Sequence, residues 1–442
     1  MTNEKITILH TNDLHSHINR WPKIANWLEN RRRELEQQGH SVLLFDIGDF
    51  IDRFDTNTQA NWGRNNSKLL SDLKYDAVTI GNNEGLALPH DRLEELYQDR
   101  NLNVVLSNFF DQEYKIPKWA IPDVTFETQN NTRILVTGMT ANYESTYHLL
   151  NWHVKDPIDV LQNYAKNKQN ADVFVLLSHL GFPADKNIAN NFDVDVIIGA
   201  HTHHLIEHGL LQNGSFLAAA GKYGEYIGEI TLELNEEKQI INQSARVIKT
   251  DRLPEPVAQK KFINSWNESG KKILENKVVA FLPKDLSPLE QSQDFLKILQ
   301  MYLHTDISMI STGMFLNTLK KGKLTEYDLL EDIPHSINLM KVTFIGKDLR
   351  KLLNEIYSQG AYLEDFPIQG SGFRGKVFGK MLINGLDEKN IDDQEYYTIG
   401  TVDHYYFLPY FRSIPNFSEV EFDYSFIMRE IMAIYYNGKY KK

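Results

Sequence analysis

Short apolar segments that each end in Asp, His, Asn or Gly recur along the first half of the chain. They constrain the fold more than any other feature. The segments span residues 6–9, 41–45, 77–80, 173–177 and 194–198, and runs of this length and composition are typical of buried strands. Helical patterns separate them; in the first, Pro22 suits an opening turn, and Ile24 and Leu28 fall on one face. The alternation favours an α/β layered sheet, in which ligands bind beyond the carboxyl ends of the strands.

Metal-ligating residue types follow these segments. They are Asp13 and His15, then Asp49, Asn82, His179, and finally His201 and His203. In an extended chain, residues two apart point to the same side, so Asp13 and His15 can reach one ion. Taken singly, each is more often a turn or core residue, but the pattern repeats at five strand ends. Mixed carboxylate, amide and imidazole ligands suit Mn, Fe, Zn, Co or Mg ions, and a bridging aspartate holds two ions roughly 3.5–4 Å apart. We therefore predict a site for two divalent metal ions.

Composition excludes several other classes of protein. The chain has 442 residues and a net charge of −12, which disfavours a polyanion-binding surface and hence a nucleic acid polymer as partner. It contains no cysteine, so disulfides and thiolate–metal sites are excluded. The first residues lack a signal-peptide pattern, and no apolar run reaches membrane-spanning length. We expect a cytoplasmic protein that has no membrane partner and no evident obligate protein partner.

The chain is long enough for two or three domains. The strand–helix alternation ends near residue 250, and Pro254 and Pro256 break the pattern before a polar helical segment. We predict a metal-binding domain over residues 1–250, a linker helix over 251–276 and an α+β domain over 277–442.

The motifs at the strand ends resemble those of the calcineurin-like metallophosphoesterases. They read Asp13-Leu-His15, Gly48-Asp49, Gly81-Asn-Asn-Glu84, Ser178-His179 and Gly199-Ala-His-Thr-His203. The opening Leu9-His-Thr-Asn-Asp-Leu-His-Ser-His17 is similar to the 5′-nucleotidase branch of that family. The resemblance implies a four-layer β-sandwich flanked by helices, followed by a C-terminal α+β 5′-nucleotidase-like domain. It is strongest over residues 5–235.

The resemblance also implies a role for each residue of the site. Asp13, His15 and His203 would bind the first metal ion, Asn82, His179 and His201 the second, and Asp49 would bridge both. Asn82, Asn83 and Glu84 occupy the family's catalytic segment. That segment usually carries histidine where this chain has Asn83. Asparagine donates hydrogen bonds but cannot transfer a proton at neutral pH.

The second half resembles the family's substrate-binding segments. Four residues match positions expected to contact substrate: Lys320, Asn338, Phe373 and Arg374. Phe373 would stack on a nucleobase and Arg374 would meet an anion. An arginine expected to grip the substrate's phosphate or carboxylate is replaced by Leu316.

These observations predict a dimetal-dependent hydrolase of the 5′-nucleotidase type, acting in nucleotide catabolism. It would release phosphate from a nucleotide or a similar small phosphoester. The first alternative is a phosphodiesterase or nucleotide pyrophosphatase acting on cyclic or dinucleotide substrates, which Asn83 and Leu316 slightly favour. The second is a catalytically weak nucleotide-binding or sensing protein, against which the complete ligand set argues.

Overall fold

The computed structural model describes residues 3–98, 100–167, 171–334, 336–365, 379–407 and 411–440. The chain divides into two compact units, Met1–Ser269 and Gly270–Lys442. The division falls inside helix α9 (Gln259–Asn276), which overlaps the predicted linker helix. Within the described residues, no helix has the length and apolar character needed to cross a membrane.

The first unit contains fourteen described strands and eight described helices before α9. The strands are β1 (Glu4–Thr11), β2 (Ser41–Asp46), β3 (Ala77–Val78), β4 (Asn103–Val104), β5 (Phe109–Phe110), β6 (Asp123–Glu127), β7 (Arg133–Thr140), β8 (His153–Val154), β9 (Val173–His179), β10 (Val196–Gly199), β11 (Leu205–Gln212), β12 (Ser215–Ala220), β13 (Tyr226–Leu234) and β14 (Ile240–Lys249). The helices are α1 (Trp21–Gln37), α2 (Thr56–Asn61), α3 (Arg64–Asp72), α4 (Asn82–Ala87), α5 (His90–Leu96), α6 (Glu144–Leu149), α7 (Pro157–Asn167) and α8 (Phe182–Asn191).

Twelve of these strands form two six-stranded sheets, ordered β14-β13-β1-β2-β3-β4 and β11-β12-β10-β9-β7-β6. In the first sheet, β1 to β4 run parallel, and β13 lies antiparallel to β1. In the second sheet, β7, β9, β10 and β12 run parallel. Each sheet therefore gathers the carboxyl ends of several parallel strands at one edge.

An apolar core lies between the two sheets. Ile6 and Ile8 of β1 pack in one apolar cluster with Val175 of β9 and Ile198 of β10. The successive core residues of β1 are two apart, as expected for a strand with one face toward this layer. The cluster joins the facing sides of the two sheets.

Helices cover the outer face of each sheet. On the first, Ile24 and Leu28 of α1 pack in a cluster with Leu44 of β2; on the second, Leu161 of α7 and Ile188 of α8 pack in another. The first unit is therefore a helix–sheet–sheet–helix sandwich, which confirms the predicted four layers.

The second unit has an α+β architecture, also as predicted. Its strands are β15 (Val278–Leu282), β16 (Ile307–Ser311), β17 (Gly322–Thr325), β18 (Asn338–Ile345), β19 (Met381–Asn384), β20 (Tyr396–Val402) and β21 (Glu419–Ile427). Its helices are α10 (Pro288–Leu303), α11 (Glu326–Asp332), α12 (Gly346–Asp365), α13 (His404–Phe407), α14 (Ser413–Phe417) and α15 (Met428–Lys439). Five strands form a sheet ordered β19-β16-β20-β18-β21, and β15 pairs with β17. Apolar residues of α10, α12 and α15 share one core with this sheet.

Candidate metal centre

The carboxyl ends of parallel strands deliver all seven predicted metal ligands. Asp13 and His15 follow β1, Asp49 follows β2, Asn82 begins α4 after β3, His179 ends β9, and His201 and His203 follow β10. Three of these strands belong to one sheet and two to the other. The sandwich therefore brings together residues that are far apart in sequence, such as His15 and His203, which are separated by 188 positions.

Asp13, His15 and His203 form the first group of ligand atoms. The Nε2 atoms of the two histidines lie 3.2 Å apart. Asp13 Oδ1 lies 3.8 Å from the Nε2 atom of His15 and 3.5 Å from that of His203. Asn12 donates a hydrogen bond of 2.7 Å to Asp13 Oδ2 and so helps to orient the carboxylate. One ion among these three atoms would receive the oxygen and nitrogen ligands that Zn²⁺, Mn²⁺ and Fe accept.

Asp13, Asp49 and His179 form the second group, with their ligand atoms all within 4.8 Å of one another. His179 donates from Nδ1 to the carbonyl of Ile47 at 2.7 Å, which leaves Nε2 free to bind an ion. That Nε2 is buried and has no hydrogen-bond partner among the described residues, and Asp49 Oδ2 lies 3.4 Å away. Burial disfavours a charge on His179, yet the Asp49 carboxylate outweighs it and raises the pKa of His179 to about 10. The pair therefore favours positive charge between its two atoms, which a divalent ion supplies.

Asn82 and His201 adjoin these groups. His201 Nδ1 lies 2.8 Å from Asn82 Oδ1. Burial lowers the pKa values of His201 and His203 to about 4, so both imidazoles are neutral at pH 7, the form that binds metal. The donor set as a whole therefore fits two divalent ions.

Five of the seven residues hold a left-handed backbone conformation. Asp13, His15, Asp49, His201 and His203 have φ angles of 50°, 47°, 51°, 70° and 58°. This region is uncommon for residues other than glycine, and such strain clusters at functional sites. The loops therefore hold a costly backbone geometry that aims these side chains at one place.

Glu84 holds the loops that carry Asp49 and Asn82. Its buried carboxylate accepts backbone N–H groups from Asp49 at 2.9 Å, Ile51 at 3.0 Å and Gly81 at 2.8 Å. It is the third residue of α4, and its bond to the Gly81 N–H satisfies a backbone donor at the start of that helix. The predicted catalytic segment thus places Glu84 as a support for the ligand loops.

Asn83 also points into this network. Its backbone N–H donates to Asp49 Oδ1 at 2.7 Å. Its side-chain Nδ2 lies 2.9 Å from His15 Nδ1 and donates to the Ile51 carbonyl at 3.1 Å and to Asp52 Oδ2 at 3.2 Å. The side chain therefore ties α4 to the loop after Asp49 through Ile51 and Asp52, and it lies beside His15. Its amide cannot transfer a proton.

Substituting Gly81 tests how closely the ligand loops must approach. A Cβ atom at Gly81 would lie 2.1 Å from Asp49 Oδ1 and 2.5 Å from His179 Cε1. We expect Gly81→Ala to displace both side chains and to reduce metal-dependent turnover on the order of 10²-fold. The measurement is kcat/KM together with bound metal per chain. Gly438→Ala is the control, because a Cβ there meets nothing within 4 Å, and unchanged activity of Gly81→Ala would contradict the close approach.

The predicted substrate-binding residues belong to the second unit. Asn338 donates to Asp403 Oδ2 at 3.0 Å, and burial raises the pKa of Asp403 to about 7. Lys320 is exposed and forms an ion pair with Asp285 at 3.1 Å. Phe373 and Arg374 lie outside the described residues. The four substrate contacts therefore stay predictions.

Asp52 and Tyr143 were not singled out from the sequence, although both lie close to the ligands. Asp52 is buried, and its Oδ2 lies 3.5 Å from His15 Nδ1. The Tyr143 hydroxyl lies 3.1 Å from His201 Nε2. Tyr143 follows β7, so the strand-end rule that located the ligands could also have found it.

A two-sheet sandwich that gathers aspartate, asparagine and histidine at its strand ends defines a metal-dependent phosphoesterase. Residues 6–205 match the calcineurin-like phosphoesterase family, and residues 290–407 match the 5′-nucleotidase C-terminal domain. The chain is 37% identical over 401 residues to the uncharacterised metallophosphoesterase YunD of Bacillus subtilis (strain 168), covering 88% of this chain and 86% of that protein. The protein belongs to the calcineurin-like metallophosphoesterases, hydrolases of phosphoester bonds that use a dimetal centre.

More distant relatives match over most or all of the chain. A 5′-nucleotidase of Vibrio vulnificus (strain CMCP6) is 23% identical over 473 residues, covering 90% of this chain and 84% of that protein. The NAD nucleotidase of Haemophilus influenzae superposes with a TM-score of 0.68 at 16% identity, covering 100% of this chain and 97% of that one. A 5′-nucleotidase precursor of Thermus thermophilus gives a TM-score of 0.62 at 18% identity, covering 99% and 97%. At these identities, the structures show a common fold.

Proposed function

We propose that the protein releases phosphate from a nucleotide or a similar small phosphoester, as a dimetal 5′-nucleotidase. The observation that carries this proposal is the meeting of two adjoining ligand groups that share Asp13. The matched 5′-nucleotidase C-terminal domain supports a nucleotide as substrate. The names of the Vibrio and Thermus relatives agree with it.

We assign each side chain a role in holding the ions. Asp13, His15 and His203 would hold one ion, Asn82, His179 and His201 would hold the other, and Asp49 would contribute to both. Asp49 Oδ2 lies 3.6 Å from His15 Nε2 and 3.4 Å from His179 Nε2. When bound, two such ions supply Lewis-acid activation of water and neutralise charge on the phosphoryl group.

The Asn83 contacts favour a second candidate function. Its side chain is engaged with His15, Ile51 and Asp52, and it cannot protonate a leaving group. When a phosphoanhydride is cleaved, the leaving group is a phosphate, which needs little protonation. A nucleotide pyrophosphatase would therefore tolerate asparagine here. The same reasoning applies less strongly to a phosphodiesterase.

A substrate panel distinguishes these functions. The protein reconstituted with Mn²⁺ would be incubated separately with nucleoside monophosphates, cyclic nucleotides and dinucleotide anhydrides. Both phosphate release and product identity would be measured. We expect turnover of nucleoside monophosphates. Turnover of anhydrides or diesters alone would establish the second function. If no substrate of the panel were hydrolysed with both ions bound, the result would instead support a nucleotide-binding or sensing protein.

A further inference from the structure

Tyr143 touches the candidate metal centre from a position that no motif marks. It lies at the N-terminus of α6, just after β7. Its hydroxyl is 3.1 Å from His201 Nε2, and the two rings meet edge to face with centroids 5.9 Å apart. On the other side of the same imidazole, Nδ1 lies 2.8 Å from Asn82 Oδ1. The His201 ring is therefore held between an amide oxygen and a phenol.

We propose that Tyr143 is a positioning residue that holds the His201 ring with Nδ1 toward the metal site. With an ion bound, its hydroxyl would accept a hydrogen bond from the Nε2–H of His201, so the lone pair of Nδ1 would be available beside Asn82 Oδ1. The inference rests on the dimetal centre of the proposed function. It assigns the residue that orients one ligand of the second ion and leaves the first ion untouched.

The chemistry of the three groups supports this assignment. A neutral imidazole carries one N–H, and the oxygen of a carboxamide only accepts hydrogen bonds. Asn82 donates from Nδ2 to Asn83 Oδ1 at 3.3 Å, which turns its own Oδ1 toward His201. Without an ion, Nδ1–H donates to Asn82, and Nε2 accepts from the tyrosine.

The two nitrogens of His201 would exchange roles if the site held an ion. Ligation by Asn82 Oδ1 and His201 Nδ1 would use the lone pairs of both atoms, so the imidazole N–H would be on Nε2. That N–H then needs an acceptor, because metal-bound histidines usually donate their other N–H to a fixed partner. A tyrosine hydroxyl both donates and accepts, and so it satisfies either arrangement. Phenylalanine at this position can neither donate a hydrogen bond to Nε2 nor accept one from Nε2–H.

The role is separable from support of the fold. Tyr143 is 40% exposed, whereas its neighbour Tyr147 is fully buried and packs edge to face against Phe109. Removing one hydroxyl from an exposed ring takes no apolar contact from the core. An effect of Tyr143→Phe on metal binding therefore reports on the hydrogen bond to His201.

The test is a titration of the full-length metal-free protein with Mn²⁺. Binding is monitored by calorimetry and by the electron paramagnetic resonance of Mn²⁺. For Tyr143→Phe, we expect one ion to bind as in the unaltered protein and the other to bind about 10–100-fold more weakly. Tyr114→Phe is the matched control, since Tyr114 is 61% exposed and stacks on His153. It should bind both ions normally.

Several outcomes would overturn the assignment. Unchanged affinity for both ions would show that the hydroxyl does not orient His201. Equal weakening of both ions would indicate a general disturbance of the loops. Binding of fewer than two ions by the unaltered protein would remove the dimetal centre and this role with it. Failure to hydrolyse nucleotides, by contrast, would contradict only the proposed substrate, because the titration needs no turnover.

Discussion

We expect Asp49→Asn to reduce phosphoester hydrolysis on the order of 10³-fold or more, about 4 kcal/mol of transition-state stabilisation. The hydrogen bonds around Asp49 explain the severity. Oδ1 accepts the Asn83 N–H at 2.7 Å, so an asparagine must place its own oxygen there. Its NH₂ group then takes the position of Oδ2, between His15 and His179. A carboxylate that faces both ion positions is replaced by a donor that can ligate neither ion.

The measurement pairs turnover with metal content. Asp49→Asn is nearly isosteric, so the folded protein should be recovered and its bound Mn²⁺ counted alongside kcat/KM. Asp72→Asn is the control, because Asp72 is an exposed carboxylate paired with Lys68 on the surface of α3. If Asp49→Asn kept full turnover with both ions bound, Asp49 would not be the bridging ligand.

The convergence of ligands was predictable because it follows from the geometry of strands. Apolar runs that end in Asp, Asn or His mark the carboxyl ends of buried strands, and parallel strands place those ends at one edge. The rule is illustrated by Asp13, Asp49 and His179. Each was predicted from its own segment, and their ligand atoms all lie within 4.8 Å of one another in the structure. The alternation by itself predicted an α/β layered sheet, and the four layers followed from the family resemblance.

The sequence carried much weaker signals for the details of the loops. Strands β3 and β4 contain only two residues each, although the apolar run at residues 77–80 predicted a longer β3. The left-handed φ angles of Asp13, His15 and Asp49 depend on backbone bonds between distant loops, such as Asp13 N–H to the Gly48 carbonyl and His15 N–H to the Asp49 carbonyl. No local propensity favours such angles at aspartate or histidine over glycine.

The side-chain partners of Asn83 and Tyr143 were beyond pattern reading for the same reason. Asn83 was recognised as a departure from the family motif, but its contact with His15 spans 68 positions. The contact between Tyr143 and His201 spans 58. Each contact joins loops that follow two non-adjacent strands of one sheet, β1 and β3 for Asn83 and β7 and β10 for Tyr143, so spacing along the chain does not encode it.

The buried carboxylate of Glu84 shows what holds these loops in place. Three backbone N–H groups converge on its two oxygens: Oε2 accepts from Asp49 and Gly81, and Oε1 accepts from Ile51. Burial raises the pKa of Glu84, and the nearby Asp49 carboxylate raises it further. The three hydrogen bonds act in the other direction by favouring the ionised form. The strained backbone at Asp49 is therefore held by the buried charge of the Glu84 carboxylate.

We expect Glu84→Gln to lower the free energy of unfolding of the first unit by about 2–3 kcal/mol. Glutamine can keep its oxygen at the Oε2 position, but its NH₂ group then faces the Ile51 N–H, donor against donor. Because all six tryptophans precede residue 270, tryptophan fluorescence follows the urea unfolding of this unit. We also expect Mn²⁺ affinity to fall about 10–100-fold, as for other residues that orient metal ligands. Glu34→Gln is the control, because Glu34 is exposed on α1, and it should change neither the free energy of unfolding nor the Mn²⁺ affinity. Normal Mn²⁺ affinity in Glu84→Gln would show that the ligand loops hold their geometry without the Glu84 carboxylate.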